Sequence, residues 1–294
     1  MTAPTSGSFA TVRKRRSNIN PTLQAPPKNL MRADECQDVA RPVAAMALDM
    51  PRGCTDALHT HRRAQLLYAC AGVMSVVTRE GAFVVPPQRA VWLPAGTEHE
   101  VHYGVPVSLR TLYIEPRTHE DLPGHCRVLE VSDLLRALIL AAVNLPTEYN
   151  LTGREGKIMS LLLDEISAMP TVPLHAPMPK DERLARVCRA MFKDPMREQK
   201  LEDLARAVGM SRRTVTRLFR RETGMSFAVW RQHVRLLEAL SRLAIGRSVT
   251  AVALDVGYRS PSSFTAMFRR TFGVTPSHYF AQAGTPDDTG TAPE

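Results

Sequence analysis

The feature that most constrains this chain of 294 residues is an internal repeat in its C-terminal third. Residues 201–226 align with residues 249–275 once a single residue is inserted in the second copy. A repeat of this kind corresponds to two copies of one supersecondary unit, so each copy must bury an equivalent apolar face. The aligned pairs include Val208 with Val256, Gly209 with Gly257, Phe219 with Phe268 and Gly224 with Gly273.

Each copy has the sequence pattern of a helix-turn-helix. A short amphipathic helix ends at a glycine, which permits a tight turn, and a serine can then cap the N–H groups at the start of a second helix. The second helix is predicted over residues 212–222 in the first copy and 261–271 in the second, where Pro261 suits the first helical position. A long apolar-faced helix over residues 227–245 is predicted to connect the two copies rigidly.

The basic charge of the chain is concentrated in the same region. Residues 181–280 contain 19 Arg and Lys residues against 9 Asp and Glu residues, while the whole chain has a net charge of +9. A basic excess in one domain is typical of a polyanion-binding protein, although a merely soluble Arg-rich surface is an alternative. A helix of this kind fits the major groove of B-DNA, which is about 12 Å wide. The repeat and the charge together predict double-stranded DNA as a partner.

Polar side chains on the outer faces of the two second helices are the candidate DNA contacts. An arginine near the start of such a helix can bond guanine O6 and N7 together, and a hydroxyl can bond a base or contact a thymine methyl. Arginines at the flanks of the helix are expected to bind phosphates, which positions the protein without specifying a sequence. The predicted base contacts are Arg213, Thr216, Arg217, Ser262 and Thr265, and the predicted phosphate contacts are Arg212, Arg220, Arg221, Arg269 and Arg270.

The preceding part of the chain has a different pattern. Short β-rich segments punctuated by glycine and proline occupy about residues 40–117 and predict an all-β barrel or sandwich. Amphipathic helices are predicted over residues 132–143, where Ser132 can cap the first turn, and over residues 155–168. Their wide apolar stripes suit either a homodimer interface or packing against the barrel.

The whole chain is therefore predicted to be an α+β multidomain protein, with a β-barrel and two helices followed by an all-α domain. A proline-rich segment between the two parts is expected to be an extended linker, and both ends of the chain lack apolar periodicity. The predicted segments are a disordered start (1–37), a β-barrel sensor domain (38–130), two helices (131–169), a linker (170–180), the helix-turn-helix domain (181–281) and a flexible tail (282–294).

Composition argues against several other classes of protein. The five cysteines are odd in number and form no Cys-x-x-Cys pair, so we expect reduced thiols rather than a disulfide framework or a zinc finger. The longest apolar run, residues 137–143, is far shorter than a membrane span, and no secretory signal is visible, so a cytoplasmic location is expected. A methyl-transferring DNA-repair protein would need a reactive cysteine, and no cysteine has a recognisable activating context.

In the repeat region the sequence resembles the AraC/XylS family of bacterial transcription regulators. The resemblance covers about residues 181–281 and implies base contacts at the five positions predicted above. Ala266 stands where some members have a base-contacting arginine, so the second unit is expected to read fewer bases. The matching strings are LEDLARAVGMS (201–211), LFRRETGMS (218–226), VGYRSPSSF (256–264) and FRRTFGVTPSHY (268–279).

Residues 53–72 and 94–99 resemble the two motifs of the cupin family, which implies a small β-barrel. By this resemblance, metal ligands would fall on His59, His61, Gln65 and His99. Three imidazoles suit Zn, Fe, Ni or Co, whereas a neutral Gln is a weaker ligand than a carboxylate. Because side chains alternate along a strand, His59 and His61 are expected to share one face. A divalent metal site and a polar pocket for a small effector are the two alternatives.

The two resemblances together imply a one-component regulator in which an unknown small-molecule effector controls DNA binding. The apolar stripes of the two helices predict a homodimer, the short apolar runs predict no contact with the membrane, and RNA polymerase is an expected partner if the protein is an activator. A metal-dependent cupin enzyme fused to a DNA-binding domain is the alternative. A barrel attached to a DNA-reading domain is more economically a sensor, so we expect no enzymatic activity.

Overall fold

The computed structural model describes residues 35–198 and 200–281. The predicted disorder of residues 1–34 and the predicted flexible tail at 282–294 lie outside these described residues. Residues 35–37, which the sequence pattern assigns to the disordered start, instead form one turn of 3-10 helix. The turn is held in place because Cys36 is fully buried and the Gln37 side chain accepts a hydrogen bond of 3.1 Å from the backbone N–H of Arg63.

Two antiparallel sheets form the N-terminal domain, which confirms the predicted all-β architecture and makes it a two-sheeted sandwich. The strands are β1 (Val43–Met50), β2 (Thr55–His59), β3 (Ala64–Ala71), β4 (Met74–Thr78), β5 (Gly81–Val85), β6 (Arg89–Leu93), β7 (His99–His102), β8 (Val107–Ile114), β9 (Arg127–Glu130), β10 (Thr171–Val172) and β11 (His175–Pro177). The larger sheet has the order β1-β8-β3-β6-β9-β10, and the smaller sheet has the order β11-β5-β4-β7-β2.

The larger sheet is covered on both faces. Side chains alternate along its strands, so one set, including Leu67, Val91 and Leu109, packs against the smaller sheet. The intervening set, including Leu66 and Trp92, packs on the opposite side against helices. Because both faces of its centre are covered, the central strands β3 and β6 are apolar at most positions.

The helices on the outer face of the larger sheet are α1 (Asp133–Ala142) and α2 (Arg154–Ala168). Ser132 caps α1 as predicted, since its Oγ accepts the backbone N–H of Leu135 at 3.0 Å. Leu135 and Leu162 are fully buried in the core that the two helices share with the larger sheet. The apolar stripes of α1 and α2 therefore pack against the β domain, which is one of the two alternatives that the sequence left open.

The segment predicted to be a linker is extended, but it is not a free spacer. Its residues form β10, which pairs with β9 in the larger sheet, and β11, which pairs with β5 in the smaller sheet. Leu174 and Ala176 within it are fully buried. Composition alone could not reveal this pairing, because it depends on which sheet edges the rest of the fold leaves open.

The C-terminal domain is all-α among the described residues, as predicted. Its second helices, α5 and α8, begin where the caps predict and extend one residue further than expected. The helices are α3 (Glu182–Lys193), α4 (Leu201–Ala207), α5 (Arg212–Thr223), α6 (Phe227–Ala244), α7 (Val249–Asp255), α8 (Pro261–Phe272) and α9 (Pro276–Ala281).

The connecting helix α6 is the centre of this domain rather than only a spacer. Trp230, Leu237 and Leu240 on α6 are fully buried. The Trp230 ring packs edge-on against Phe219 of the first unit at 5.8 Å, and the same apolar core includes Phe268 of the second unit. Each unit therefore has its orientation fixed by a shared helix.

None of the described helices is long and apolar enough to cross a bilayer. All five cysteines lie among the described residues and have free thiols, as predicted. Burial raises the pKa of Cys36 to about 11 and the pKa of both Cys126 and Cys188 to about 12. Raised pKa values disfavour the reactive thiolate, which agrees with the absence of an activating context in the sequence.

Candidate DNA interface and ligand site

A glycine turn and a serine cap position α5 in the first helix-turn-helix unit. Gly209 has a φ of +65°, a left-handed conformation that favours glycine. Ser211 then caps α5, because its Oγ accepts the backbone N–H of Thr214 at 3.2 Å. Gly224, with a φ of +73°, ends the helix, and the fully buried Phe219 anchors its inner face.

The outer face of α5 is a row of cations interrupted by one hydroxyl. All the predicted contact residues on this helix are exposed and border one open groove. Recognition helices present such a row to the major groove, with the first turns nearest the bases. These residues are Arg212, Arg213, Thr216, Arg217, Arg220 and Arg221.

The arginines on this face differ in their electrostatic partners. Arg212 forms an ion pair of 3.1 Å with Glu202 on α4, and Arg221 forms one of 2.9 Å with its neighbour Glu222. In the part of the chain that the structure describes, Arg213, Arg217 and Arg220 have no carboxylate within ion-pair distance. Their guanidinium groups therefore keep their full donor capacity for an external anion.

The second unit repeats the geometry with different chemistry. The Ser260 Oγ accepts the backbone N–H of Ser263 at 3.2 Å and caps α8, which ends at Gly273 with a φ of +79°. Its outer face is hydroxyl-rich at the start and cationic only at the end, with an exposed alanine between. The residues that border this second open groove include Ser262, Thr265, Ala266, Arg269 and Arg270.

Three of the four ligand residues predicted for the N-terminal domain come together. One ring nitrogen of each of His59, His61 and His99 lies within 4.8 Å of the others. The expected shared strand face is not the reason, because β2 ends at His59 and His61 lies in the loop that follows. The fourth residue, Gln65, lies on β3 of the opposing sheet, where its Nε2 donates to the Thr111 Oγ1 at 3.1 Å.

Backbone carbonyls fix the tautomers of two of these rings. The Nδ1 of His59 lies 2.6 Å from the carbonyl oxygen of Ala57, and the Nδ1 of His99 lies 2.9 Å from that of Thr97. A carbonyl oxygen only accepts, so both Nδ1 atoms carry the proton, and in the neutral form of each ring Nε2 carries a lone pair. Burial lowers the pKa of His99, which is 2% exposed, and favours its neutral form.

Two acceptors in this part of the domain are unsatisfied. Within residues 35–198 and 200–281, the buried Nε2 of His99 and the buried Oε1 of Gln65 have no hydrogen-bond partner. A buried polar atom without a partner costs about 1–3 kcal/mol and requires an explanation. The donor set of three imidazoles therefore fits a cation or a proton donor bound between the sheets.

Sequence reasoning missed a set of contacts between the two domains. On α6, Trp230 donates its Nε1 proton to the carbonyl of Pro177 at 2.7 Å, and His233 donates its Nε2 proton to the carbonyl of His175 at 2.8 Å. The carbonyl groups of β11 are thus bonded directly to the central helix of the DNA-binding domain. No local pattern signals these bonds, because they exist only once β11 has joined the smaller sheet.

A second contact links the larger sheet to the second unit. The Arg89 guanidinium lies 5.5 Å from the centre of the Tyr279 ring, a distance typical of cation–π attraction. A cavity of about 290 Å³ between the domains lies beside this pair. Both sheets of the N-terminal domain therefore contact the helical domain.

Comparison with known proteins decides the family. Residues 204–282 match a helix-turn-helix domain model, and residues 55–149 match the model of the AraC-like ligand binding domain. The chain is 35% identical over 231 residues to the HTH-type transcriptional regulator NimR of Escherichia coli, a match that covers 79% of this chain and 84% of NimR. The chain belongs to the AraC family of transcription regulators.

Other similarities either cover less of the chain or are lower in sequence identity. The regulator RipA of Corynebacterium glutamicum is 41% identical over 112 residues, which cover 38% of this chain and 32% of RipA. The structure of ToxT from Vibrio cholerae aligns at 13% identity and a TM-score of 0.35, covering 82% of this chain and 98% of ToxT. The names of the sequence relatives are those of transcription regulators, and they give no support to a fused cupin enzyme.

Proposed function

We propose that this AraC-family protein reads a specific DNA site chiefly through α5 and responds to an effector bound between the sheets of its N-terminal domain. The observation that carries the proposal is the row of exposed guanidinium groups without ion pairs on a capped helix of a helix-turn-helix unit. On a surface that contacts only water, placing Arg213, Arg217 and Arg220 side by side costs electrostatic free energy, because like charges repel one another. A bound polyanion would neutralise these charges and remove the repulsion.

Base reading is assigned to the side chains near the start of each recognition helix. Arg213 and Arg217 lie one helical turn apart on α5, so both can reach successive bases in one groove, and Thr216 lies beside them. In the second unit Ser262 and Thr265 are the assigned base contacts. Because Ala266 offers no hydrogen bond, we expect the first unit to supply most of the base specificity.

Phosphate binding is assigned to the flanking arginines. Arg212 and Arg221 already form ion pairs with carboxylates. A phosphate contact is therefore expected to add less binding free energy at these two residues than at Arg220. Arg269 and Arg270 close the second helix, and with no base-reading arginine beside them they would chiefly anchor the second unit.

The effector is expected to act through the contacts between the domains. An effector can change DNA affinity only if it binds two conformations or assembly states differently. The histidine cluster lies on β2, β7 and the loop after β2, and the smaller sheet continues from these strands through β4 and β5 to β11. The β11 carbonyls in turn accept hydrogen bonds from α6, so a shift of this sheet would reorient the helix that holds both units.

A homodimer through α1 and α2 is part of the proposal. Leu134 is 48% exposed and Leu161 is 42% exposed, although the other apolar residues of these helices are mostly buried. Exposed leucines on adjacent helices are suited to a second copy of the same surface. We expect sedimentation of the full chain to give a dimer and the L134R/L161R variant to give a monomer.

The control for this experiment is L254R, which replaces a leucine that is 56% exposed on α7 of the other domain. It should leave the dimer intact. A monomeric wild-type chain at high concentration, or an L134R/L161R dimer as stable as the wild type, would refute this interface.

The remaining parts of the proposal follow from the family. We infer that the sensor acts by binding rather than by catalysis, that the protein works on cytoplasmic DNA, and that it contacts RNA polymerase if it activates transcription.

The test of the proposed function is to map binding sites across the genome and then measure binding to the fragments recovered. We expect nanomolar-range affinity that falls steeply with salt and exceeds that for scrambled duplexes by at least roughly a thousandfold. Equal affinity for scrambled DNA would refute sequence-specific reading.

A further inference from the structure

We propose that Arg259, in the turn before α8, is a further DNA contact and binds a backbone phosphate at the start of the second recognition helix. The inference rests on the proposed function in taking DNA as the ligand, and it adds a residue outside the predicted set of contacts. It stands on the geometry of the two turns and on the placement of the carboxylates around them.

The backbone hydrogen bonds of the two turns identify the residue that is inserted in the second unit. The N–H of Met210 donates to the carbonyl of Ala205 at 3.0 Å, and the N–H of Tyr258 donates to the carbonyl of Ala253 at 2.9 Å. Met210 and Tyr258 therefore occupy equivalent positions. The serine that caps the recognition helix follows directly in the first unit and one residue later in the second. The inserted residue is Arg259, and its side chain is exposed.

The two units place a cation near the start of the recognition helix in different ways. In the first unit the cation is Arg212, the first residue of α5, and it forms an ion pair of 3.1 Å with Glu202 on α4. In the second unit Pro261 is the first helical residue, and the repeat places Thr250 where the first unit has Glu202. Arg259 therefore supplies a cation two residues earlier, where the equivalent of its potential partner is uncharged.

The carboxylate closest to Arg259 along the chain is already engaged. Asp255 forms ion pairs of 2.8 Å with Arg247 and 3.3 Å with Arg242. Within residues 35–198 and 200–281, no carboxylate lies within ion-pair distance of Arg259. The positive end of the α8 dipole lies beside this turn, so the helix does not stabilise a cation there. An external anion would be attracted by the guanidinium and by the dipole together.

A phosphate at this point suits the way in which a recognition helix enters the major groove. The first turn of such a helix lies against base edges, so we expect the turn before it to lie at the rim of the groove, beside the sugar-phosphate backbone. Arg269 and Arg270 lie at the opposite end of α8. With Arg259 bound as well, the helix would be held at both ends, and this would keep Ser262 and Thr265 against the bases between them.

The experiment measures binding of the full-length chain to a specific duplex recovered by the genomic mapping and to a scrambled duplex of the same length, at several salt concentrations. We expect R259A to weaken binding to both duplexes by a similar factor, roughly three- to tenfold, and to lower the slope of log affinity against log salt by about 1. R259K should keep the wild-type slope, because lysine also binds phosphate as a point charge. The control R154A removes an exposed arginine from the sensor domain and should leave the affinities and the slope unchanged.

A second measurement distinguishes a direct contact from a general effect of surface charge. Single phosphates of the specific duplex are replaced in turn by neutral methylphosphonates. We expect at least one position at which the replacement weakens binding of the wild type but not of R259A, because the contact is already lost in the variant. A general electrostatic effect would make every replacement weaken both proteins alike.

Wild-type affinity and slope in R259A, or the absence of any such phosphate position, would overturn the inference. A loss confined to the specific duplex would also overturn it, since Arg259 would then read a base rather than bind a phosphate. Failure of the proposed function gives a different result: the wild-type chain would bind both duplexes equally, while the loss of affinity and slope in R259A could still be measured on either one.

Discussion

At the scale of single residues, the arginines of α5 differ in what surrounds their guanidinium groups. Arg213 and Arg217 have no carboxylate partner, whereas Arg212 is paired with Glu202. We therefore expect R213A and R217A each to cost about 1–3 kcal/mol of binding free energy on the specific site, and much less on scrambled DNA. Fluorescence anisotropy with both duplexes at one fixed salt concentration measures the difference.

The control for these variants is R154A, which removes the same charge from an exposed position at the start of α2. It should leave both affinities nearly unchanged. If R213A and R217A weakened binding to the specific and scrambled duplexes equally, the two arginines would be phosphate contacts rather than base contacts.

The arginines at the end of α8 are expected to behave differently. R269A and R270A should weaken binding to all sequences to a similar extent, because phosphates are the same at every site. Each variant should also reduce the slope of log affinity against log salt by about 1. Titrations at several salt concentrations test this, and T265A should change sequence preference while keeping the wild-type slope. A wild-type slope in R269A/R270A would contradict the assignment.

At the scale of elements, two glycines of the sensor domain provide a matched pair. Gly72, between β3 and β4, has a φ of +80°, and Gly53 has a φ of +83°. A Cβ at Gly72 would overlap the backbone carbonyl oxygen of Pro106, whereas a Cβ at Gly53 would have no heavy atom of the described residues within 4 Å. The two positions share the same conformational strain and differ only in the steric clash.

We therefore expect G53A to lower the free energy of unfolding by roughly 1–2 kcal/mol and G72A by roughly 2–5 kcal/mol. Urea denaturation followed by tryptophan fluorescence measures the loss, with Trp92 buried in the sensor domain and Trp230 buried in the helical domain both contributing to the signal. Equal losses for the two variants would mean that the chain segment at Pro106 can move aside without cost.

At the scale of the whole molecule, two histidines lie where the domains meet. Burial lowers the pKa of His175 and the pKa of His233 from the ordinary value of 6.5. Both are therefore neutral in the folded protein at pH values where the unfolded chain is already protonated. Stability from this contact should be complete above about pH 6.5 and should fall as the pH drops below it, because the unfolded state then binds more protons.

The variant H233Q tests this dependence, since glutamine can still donate to the His175 carbonyl but does not titrate. Thermal unfolding between pH 8 and pH 5 should show a smaller loss of stability in H233Q than in the wild type. Identical pH profiles would indicate that His233 is protonated in the folded protein without any loss of stability, contrary to the direction of its pKa shift.

The sequence by itself determined the helical domain and its candidate DNA contacts. Ser211, Gly224 and Ser260 act on neighbours within a turn of helix, and the outward faces of α5 and α8 follow from a period of 3.6 residues, so local spacing was sufficient. The histidines were identified from a resemblance, but the sequence did not show that the rings of His59, His61 and His99 lie close together. Their proximity depends on how β2 pairs with β7 and on the conformation of the loop after β2, which has no periodic sequence pattern.

Only the tertiary structure decided how the two domains are joined. The proline-rich segment expected to be a linker adds one strand to each sheet, and its carbonyls bond to Trp230 and His233 on α6. These bonds join residues more than fifty positions apart. Extended backbone at the edge of a sheet and extended backbone in water have the same local sequence requirements. What distinguishes them is an open strand edge and an approaching helix, and both are supplied by distant parts of the chain.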